Sequence, residues 1–423
     1  MKPFTLFFLL FLASPSWATD LTSKNVLTER IWQELESKSE NLGVQERRIL
    51  GATLALEQNN HQKALTMLNQ PEANNDPLAS LLKAEAYRRA ALEAVTSAGN
   101  YAKHQELSEQ KFAAIDLSSD LSEATVRLQA FADKVDGTSG YPLDLLLLNQ
   151  DIESVFMVDK IRSRLFVYVR ASNGNFTRVA DEYVVTGAKT GDKKNRGDAR
   201  TPNGIYRFTS IRHDKNLQLR YGPVVFPIDY PNALDRLHGK TGDGIWMHGY
   251  PQDVKRRPPQ DTRGCFALPN TNLKKMEPFV VPGKSWVIIG ENFEFGVPTK
   301  RDALLDSVQK TVGTWVSDWK SLDTNAYLSH YHENFRSGKY NLKRWKDYKQ
   351  RVNANKKFIH VELSNMSLLH APSLSQEGEV VVAEFIQGYA SNNYSDSGRK
   401  RLYLARKNAQ APWKILIEES LEP

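Results

Sequence analysis

Apolar residues recur at three- and four-residue spacings through residues 20–135. The stretches "VLTERIWQELESKSENLGVQERRILGATLALEQNN" and "DPLASLLKAEAYRRAALEAVTSAGNYAKHQELSEQKFAAI" carry that period and almost no strand signal, which predicts a helical segment. The turn-rich junction "DGTSGYPLD" ends the pattern. Short β-branched and aromatic runs follow, broken by Asn-Gly and Gly-Asp turns, as in "SVFMVDKIRSRLFVYVRASNGNFTRVADEYVVTGAKTGDKKNRGDARTPNGIYRFTSI". They predict a mostly-β domain built from hairpins and running to about Val297. The last segment opens with the helical pattern "RDALLDSVQKTVGTWVSDWKSLDTNAYLSHYHENF" and turns into long strands, "KKFIHVELSNMSLLH", "EGEVVVAEFIQGYAS" and "RKRLYLARKNAQAPWKILIEES". Helices first and strands after predict an α+β domain. The expected organisation is a leader over 1–18, a helical domain over 19–145, a β-rich domain over 150–297 and an α+β domain over 301–423.

Two of these segments have recognisable textures. "LGATLALEQNNHQKALTMLNQ" resembles half of a tetratricopeptide unit, with small residues where paired helices would touch. No second copy stands at a 34-residue period, so the pattern supports a helical bundle serving dimerisation (a homodimer), partner docking or support. "WVSDWKSLDTNAYLSHY" and the closing "WKILIEE" resemble the nuclear-transport-factor-2-like (NTF2-like) domain over residues 301–421. That resemblance implies a curved sheet wrapped over helices around a cone-shaped pocket, with a glycan or small ligand as its occupant.

The first residues, "MKPFTLFFLLFLASPSWATD", place Lys2 before an apolar run from Phe4 to Ala13, with small residues at Ser16 and Ala18. This is the layout of a secretory signal peptide, and its apolar core is too short to span a bilayer. The expectation is an exported protein of the periplasm or cell envelope. The formal net charge of +7 falls to +6 without Lys2 and shows no arginine stripe, so nucleic acid is not expected as a partner. "TGAKTGDKK" lacks phosphate-loop spacing and reads as a solvated hairpin loop. "VKRRPPQDTR" reads as an ordinary solvated loop, with a basic lid as the alternative. His330, His332 and Glu333 do not repeat at metal-ligand spacing on one helix face, so no metal is expected, and no cofactor is implied. Trp315, Trp319, Tyr327 and Tyr331 recur at helical spacing and read as core, with a pocket wall as the alternative.

Cys265 is the single cysteine of 423 residues. In an exported chain a cysteine with no internal partner points either to intermolecular pairing or to a reactive thiol. A nucleophilic thiol needs a base to make it thiolate and main-chain donors for the oxyanion. "GIWMHGYP" supplies His248 followed by Gly249, and "DTRGCF" supplies Gly264 directly before the thiol.

"MHGYP…DTRGCFALPN" resembles the signature of the L,D-transpeptidase (YkuD-type) catalytic domain, and Thr201, Pro202, Gly204 and Tyr206 resemble its T-P-x-G-x-Y element. The resemblance covers about residues 152–295. It implies Cys265 as nucleophile, His248 as general base, and Gly249 orienting the imidazole through its carbonyl. It implies Gly264 and Cys265 as sources of oxyanion-binding amides, with Thr262 and Arg263 at the mouth, where a guanidinium can hold a substrate carboxylate. Asn270 matches a residue supporting the loop after the cysteine and is counted with Tyr221 among the substrate-facing candidates. His238 reads equally as substrate-adjacent or solvated. Ala267 stands where many members carry arginine, which leaves the acceptor chemistry open.

Helical, catalytic and NTF2-like domains in that order resemble the exported L,D-carboxypeptidases that shape helical bacteria, in which the last domain is a binding module. The implied reaction is acyl transfer on peptidoglycan stem peptides. Cys265 attacks the L,D bond between the third stem residue and the D-alanine that follows it, and the thioester is resolved by an amine, giving a cross-link, or by water, giving a tripeptide. The rival from another class is a non-catalytic cell-wall binding protein with a vestigial site. A papain-like protease lacks support, because no suitable Asn or Asp motif follows a cysteine-before-histidine order.

Overall fold

The computed structural model describes residues 21–421 except 38–43, 71–75, 98–116, 136–139, 173, 214, 292 and 372–374. The expected leader over 1–18 lies outside the described residues. The chain forms two compact units, one of Met1–Ser139 with Asp253–Pro259 and one of Gly140–Gln252 with Gln260–Pro423.

The first unit is helical, with described helices Leu21–Glu36, Val44–Glu57, His61–Leu68, Pro77–Ser97 and Ser118–Val135. Helix Val44–Glu57 is the central one, since every residue from Ile49 to Leu56 is buried. Its Ala52 and Ala55 meet Ala64, Leu68, Leu82 and Ala124, and its Leu50 and Leu54 join Ile31, Leu128 and Phe131. Small side chains let the helix axes approach closely, which is how the alanine-rich text becomes a core. Arg256 of the segment Asp253–Pro259 lies 3.2 Å from Glu123 and 3.7 Å from Asp120. That segment, read as a solvated loop or a basic lid, has its central guanidinium committed to carboxylates.

In the second unit a five-stranded sheet runs in the order Phe176–Tyr183, Arg164–Arg170, Ser154–Asp159, Ser285–Gly290, Gly204–Arg207. The first three strands are the expected hairpins. Ser154–Asp159 pairs in parallel with the distant Ser285–Gly290, and both strands are buried throughout. Period-two alternation sends Phe156, Val158, Val287 and Ile289 into one core and Val155, Met157, Trp286 and Ile288 into another. The first core continues through Met247, Phe266 and Leu268 towards the candidate site.

The second core is shared with a seven-stranded sheet ordered Tyr340–Asn341, Tyr331–Ser337, Lys414–Leu421, Tyr394–Arg406, Glu379–Ser391, Ile359–His370, Leu145–Leu147. Helix Thr299–Lys320 covers the other face with Val308, Val312, Trp315 and Trp319, an i, i+4, i+7, i+11 stripe. The edge strand Leu145–Leu147 begins at the last residue expected of the helical domain and runs on into the interval before the β-rich one. Its Leu145 and Leu146 alternate into the two cores on either side of the sheet. A buried ion cluster also joins the sheets: Arg207 is 2.7 Å from Glu384, which is 2.9 Å from Arg401.

Candidate active site

A three-stranded sheet, ordered Phe266–Ala267, Trp246–His248, Val225–Pro227, carries the candidate residues. Phe266–Ala267 runs parallel to Trp246–His248 in the register Phe266↔Met247 and Ala267↔His248. Phe266 and Met247 are fully buried and anchor both strands in the core. Cys265, one residue before the strand, therefore stands diagonal to His248 on the adjacent strand, with its thiol partly exposed.

His248 is 4 % exposed, and its Nδ1 lies 2.6 Å from the carbonyl oxygen of Gly249. A carbonyl only accepts, so Nδ1 carries the hydrogen of the neutral imidazole and Nε2 is left as the basic nitrogen. The Tyr221 ring meets the imidazole edge-on, at 5.0 Å between centroids and 78° between planes. The Tyr221 carbonyl accepts the N–H of Gly249 at 2.7 Å. Asn270 Oδ1 accepts the N–H of Tyr250 at 2.8 Å. A Cβ on Gly249 would fall 2.0 Å from that amide oxygen, so glycine after the histidine makes room for the Asn270 side chain. Tyr221 and Asn270 thus position the imidazole and its main chain.

The turn before the thiol is held from inside. Thr262, 4 % exposed, donates from Oγ1 to the Cys265 carbonyl at 2.6 Å and accepts the N–H of Gly264 at 3.1 Å. Gly264 has φ +131, and a Cβ there would lie 2.9 Å from the Arg200 carbonyl, so only glycine fits without strain. The thiol donates to the Gly244 carbonyl at 3.5 Å.

The Gly264 N–H, expected as an oxyanion donor, is taken by Thr262, so the arrangement offers a thiol, an imidazole of fixed tautomer and the Cys265 main-chain N–H, the components of thiol-based acyl transfer. Among the described residues no group of three or more His, Cys, Asp or Glu side chains could hold a metal ion.

The candidates separate into two groups. Cys265, His248, Gly249, Gly264, Thr262, Asn270 and Tyr221 share one neighbourhood, and Arg263 is exposed on the same turn. His238 engages different residues. It caps helix Ala233–Leu237 and places Nε2 2.8 Å from Glu377, with both side chains buried. Burial raises the Glu377 carboxyl, but the hydrogen bond and charge interaction with His238, together with hydrogen bonds from the Glu377 main chain and the Ser375 side chain, outweigh it and hold the group below its usual range.

Two contributors have no role assigned from sequence, where Thr201 figures only within the T-P-x-G-x-Y element. Thr201, fully buried, donates to the Cys265 carbonyl at 3.2 Å and accepts the Gly187 N–H at 2.8 Å. Gly244 supplies the thiol's acceptor. Neither contact with Cys265 leaves a local signal, because each spans tens of residues. The loop "TGAKTGDKK" is likewise more than solvated: Lys193 is 3 % exposed and pairs with Asp198 at 2.7 Å.

The seven-stranded sheet and helix Leu342–Asn353 border an open cavity of about 900 Å³, lined by residues including Trp319, Trp345, Lys349, Lys356, Gln387 and Lys400. Gln387 Oε1 is buried without a hydrogen-bond donor. The Lys349 amine lies 4.6 Å from the Trp319 ring centroid and 4.5 Å from that of Trp345. Burial pushes it down to about 8, against the opposing pull of Glu418. Trp319 therefore belongs to core and pocket wall at once, while His330 pairs with Asp318 at 2.7 Å.

Comparison with known proteins places these features. The L,D-transpeptidase catalytic domain (YkuD) matches residues 153–289, and the Cds6 C-terminal NTF2-like domain matches residues 307–419. YafK of Escherichia coli K12, assigned by name to the L,D-transpeptidases, is 30 % identical over 90 residues, which are 21 % of this chain and 32 % of YafK. The chain thus spans about a third of the length of that curated relative. The crystal structure of the helical cell shape determining protein Pgp2 from Campylobacter jejuni is 31 % identical with a TM-score of 0.56, covering 67 % of this chain and 96 % of Pgp2. Bd1075 from Bdellovibrio bacteriovorus, 24 % identical with a TM-score of 0.57, covers 67 % of this chain and 98 % of its own, a likeness of fold. No described helix is long and apolar enough to cross a membrane.

Proposed function

Because the chain belongs to the YkuD-type L,D-transpeptidase family, with a Cds6-type NTF2-like domain after the catalytic one, we propose that it is an exported cysteine enzyme that trims peptidoglycan stem peptides. The supporting observation is the diagonal placement of Cys265 and His248 on adjacent strands, with Nδ1 of the imidazole tied to the Gly249 carbonyl.

In this reading His248 Nε2 takes the Cys265 thiol proton, and the thiolate attacks the carbonyl of the third stem residue. The new C–S bond leaves an oxyanion, which the Cys265 main-chain N–H stabilises while the Gly264 N–H stays with Thr262. Collapse breaks the C–N bond to D-alanine, and the departing amine takes the proton from His248. Water, deprotonated by the same nitrogen, then cleaves the thioester and returns the thiol.

Ala267 favours hydrolysis over cross-linking. It is fully buried beside His248, and its N–H and carbonyl are both bonded to Val185 at 2.8 Å. No cationic side chain stands at that position to hold the carboxylate of an acceptor strand. Arg263 remains for the donor peptide's carboxylate. The cavity of the last domain, with its lysines and the unpaired Gln387 oxygen, is the proposed holding site for an anionic glycan or peptide part of the wall.

Liquid chromatography and mass spectrometry of disaccharide-tetrapeptides after incubation with the enzyme test the reading. Tripeptides are expected; new dimers would assign transpeptidation instead. Unchanged tetrapeptides would favour the non-catalytic wall-binding alternative.

A further inference from the structure

Lys160 follows strand Ser154–Asp159, and its side chain is 5 % exposed. Burial of an ammonium requires partners. Its Nζ donates to the carbonyls of Gly191 and Thr201 at 2.7 and 2.9 Å and to Asn203 Oδ1 at 2.7 Å. Those three bonds use all three hydrogens of the ammonium. Glu291, 2.8 Å away, contributes opposite charge. The loop so gripped is the one that touches the nucleophile's turn. Arg200 places its carbonyl against Gly264, and the Thr201 hydroxyl reaches the Cys265 carbonyl. Thr201 faces two ways: its own carbonyl is held by Lys160, and its side chain bridges Gly187 N–H and Cys265 C=O.

We propose that Lys160 and Thr201 form an internal strut that sets the main chain of Cys265, making Lys160 a positioning residue for the nucleophile although it lies 105 positions earlier in the chain. The proposal rests on the assignment of Cys265 as nucleophile. Main-chain carbonyls of a long polar loop have many alternative orientations in water. One ammonium that engages both ends of the 191–203 stretch fixes the loop, and the loop fixes the floor under Gly264 and Cys265. Without the strut, the Cys265 carbonyl loses one of the two threonine hydroxyls that hold it, and the thiol's alignment with the imidazole loosens. Misplacement of a reacting group by about an ångström can cost on the order of a hundredfold in rate.

The test uses the full chain and compares wild type with Thr201→Val, Thr201→Ser and Lys160→Met. Each is measured for D-alanine release from disaccharide-tetrapeptide and for the pH profile of thiol alkylation by iodoacetamide. Thr201→Val keeps the side chain's shape and removes only the hydroxyl, so it serves even if Lys160→Met fails to fold. The expected result is a kcat lower by about tenfold or more in Thr201→Val and Lys160→Met, with KM changed by less than about threefold. Their alkylation profiles move to higher pH, and Thr201→Ser recovers both properties. Folded Thr201→Val with wild-type kcat and alkylation profile overturns the strut. A wild type that alkylates like an ordinary thiol and releases no D-alanine overturns the assignment of Cys265 instead.

Discussion

Thr262→Val separates two roles for this threonine, a substrate contact at the site's mouth and a staple of the nucleophile's turn. Its hydroxyl donates to the Cys265 carbonyl at 2.6 Å and accepts the Gly264 N–H at 3.1 Å. Valine has nearly the same shape and can do neither. The Cys265 carbonyl retains Thr201 at 3.2 Å, so the main loss falls on the buried Gly264 N–H. A buried donor left without an acceptor costs about 1–3 kcal/mol. If about 2 kcal/mol of that is expressed in the alignment of the turn, the rate falls about 30-fold. The assay is steady-state release of D-alanine from disaccharide-tetrapeptide, with kcat and KM resolved separately. A turn staple predicts loss in kcat with KM nearly constant, and Thr262→Ser returns activity to within about threefold because the hydroxyl remains. A Thr262→Val enzyme with full kcat and a raised KM would refute this account and make Thr262 a substrate contact.

Other consequences follow from the same structure. Gly264→Ala puts a Cβ 2.9 Å from the Arg200 carbonyl at φ +131, so thermal melts should report about 1–3 kcal/mol of destabilisation, with activity reduced at least tenfold. Glu384→Gln leaves Arg207 and Arg401 buried without their shared carboxylate; denaturant titration should show a loss of about 3–5 kcal/mol. Lys349 loses its proton near a value of about 8, so calorimetry should find a carboxylate-bearing muropeptide bound more tightly at about pH 7 than at about pH 9. Lys349→Met should remove that difference, and pH-independent binding to the wild type would detach the lysine from the ligand.

What the sequence made legible was what local pattern governs. The Trp315–Trp319 stripe read as a helix because its side chains repeat at the helical period, and they line one buried face of Thr299–Lys320. Ser154–Asp159 and Arg164–Arg170 read as a hairpin because a short turn joins them. The closure of that sheet by Ser285–Gly290 was not legible, since parallel pairing across more than a hundred residues leaves no local trace. Helix Leu342–Asn353 was missed for a different reason. Its text is polar, and of its side chains only Trp345 and Asn353 are buried. At the site, the His-Gly and Gly-Cys pairs stood out because their chemistry is confined to adjacent residues. His238 shows the limit of that signal: a histidine before a glycine near the cysteine in sequence is tied in space to Glu377. Thr201 and Lys160 were invisible as positioning residues because their contacts are with carbonyls, which any sequence has everywhere.

The most direct test of the central claim compares wild type with Cys265→Ala on purified disaccharide-tetrapeptide under reducing conditions, measuring free D-alanine and the mass of the remaining muropeptide. The account predicts stoichiometric D-alanine and tripeptide from the wild type and none from the variant. Equal release by both proteins, or none by a folded and fully reduced wild type, would contradict it.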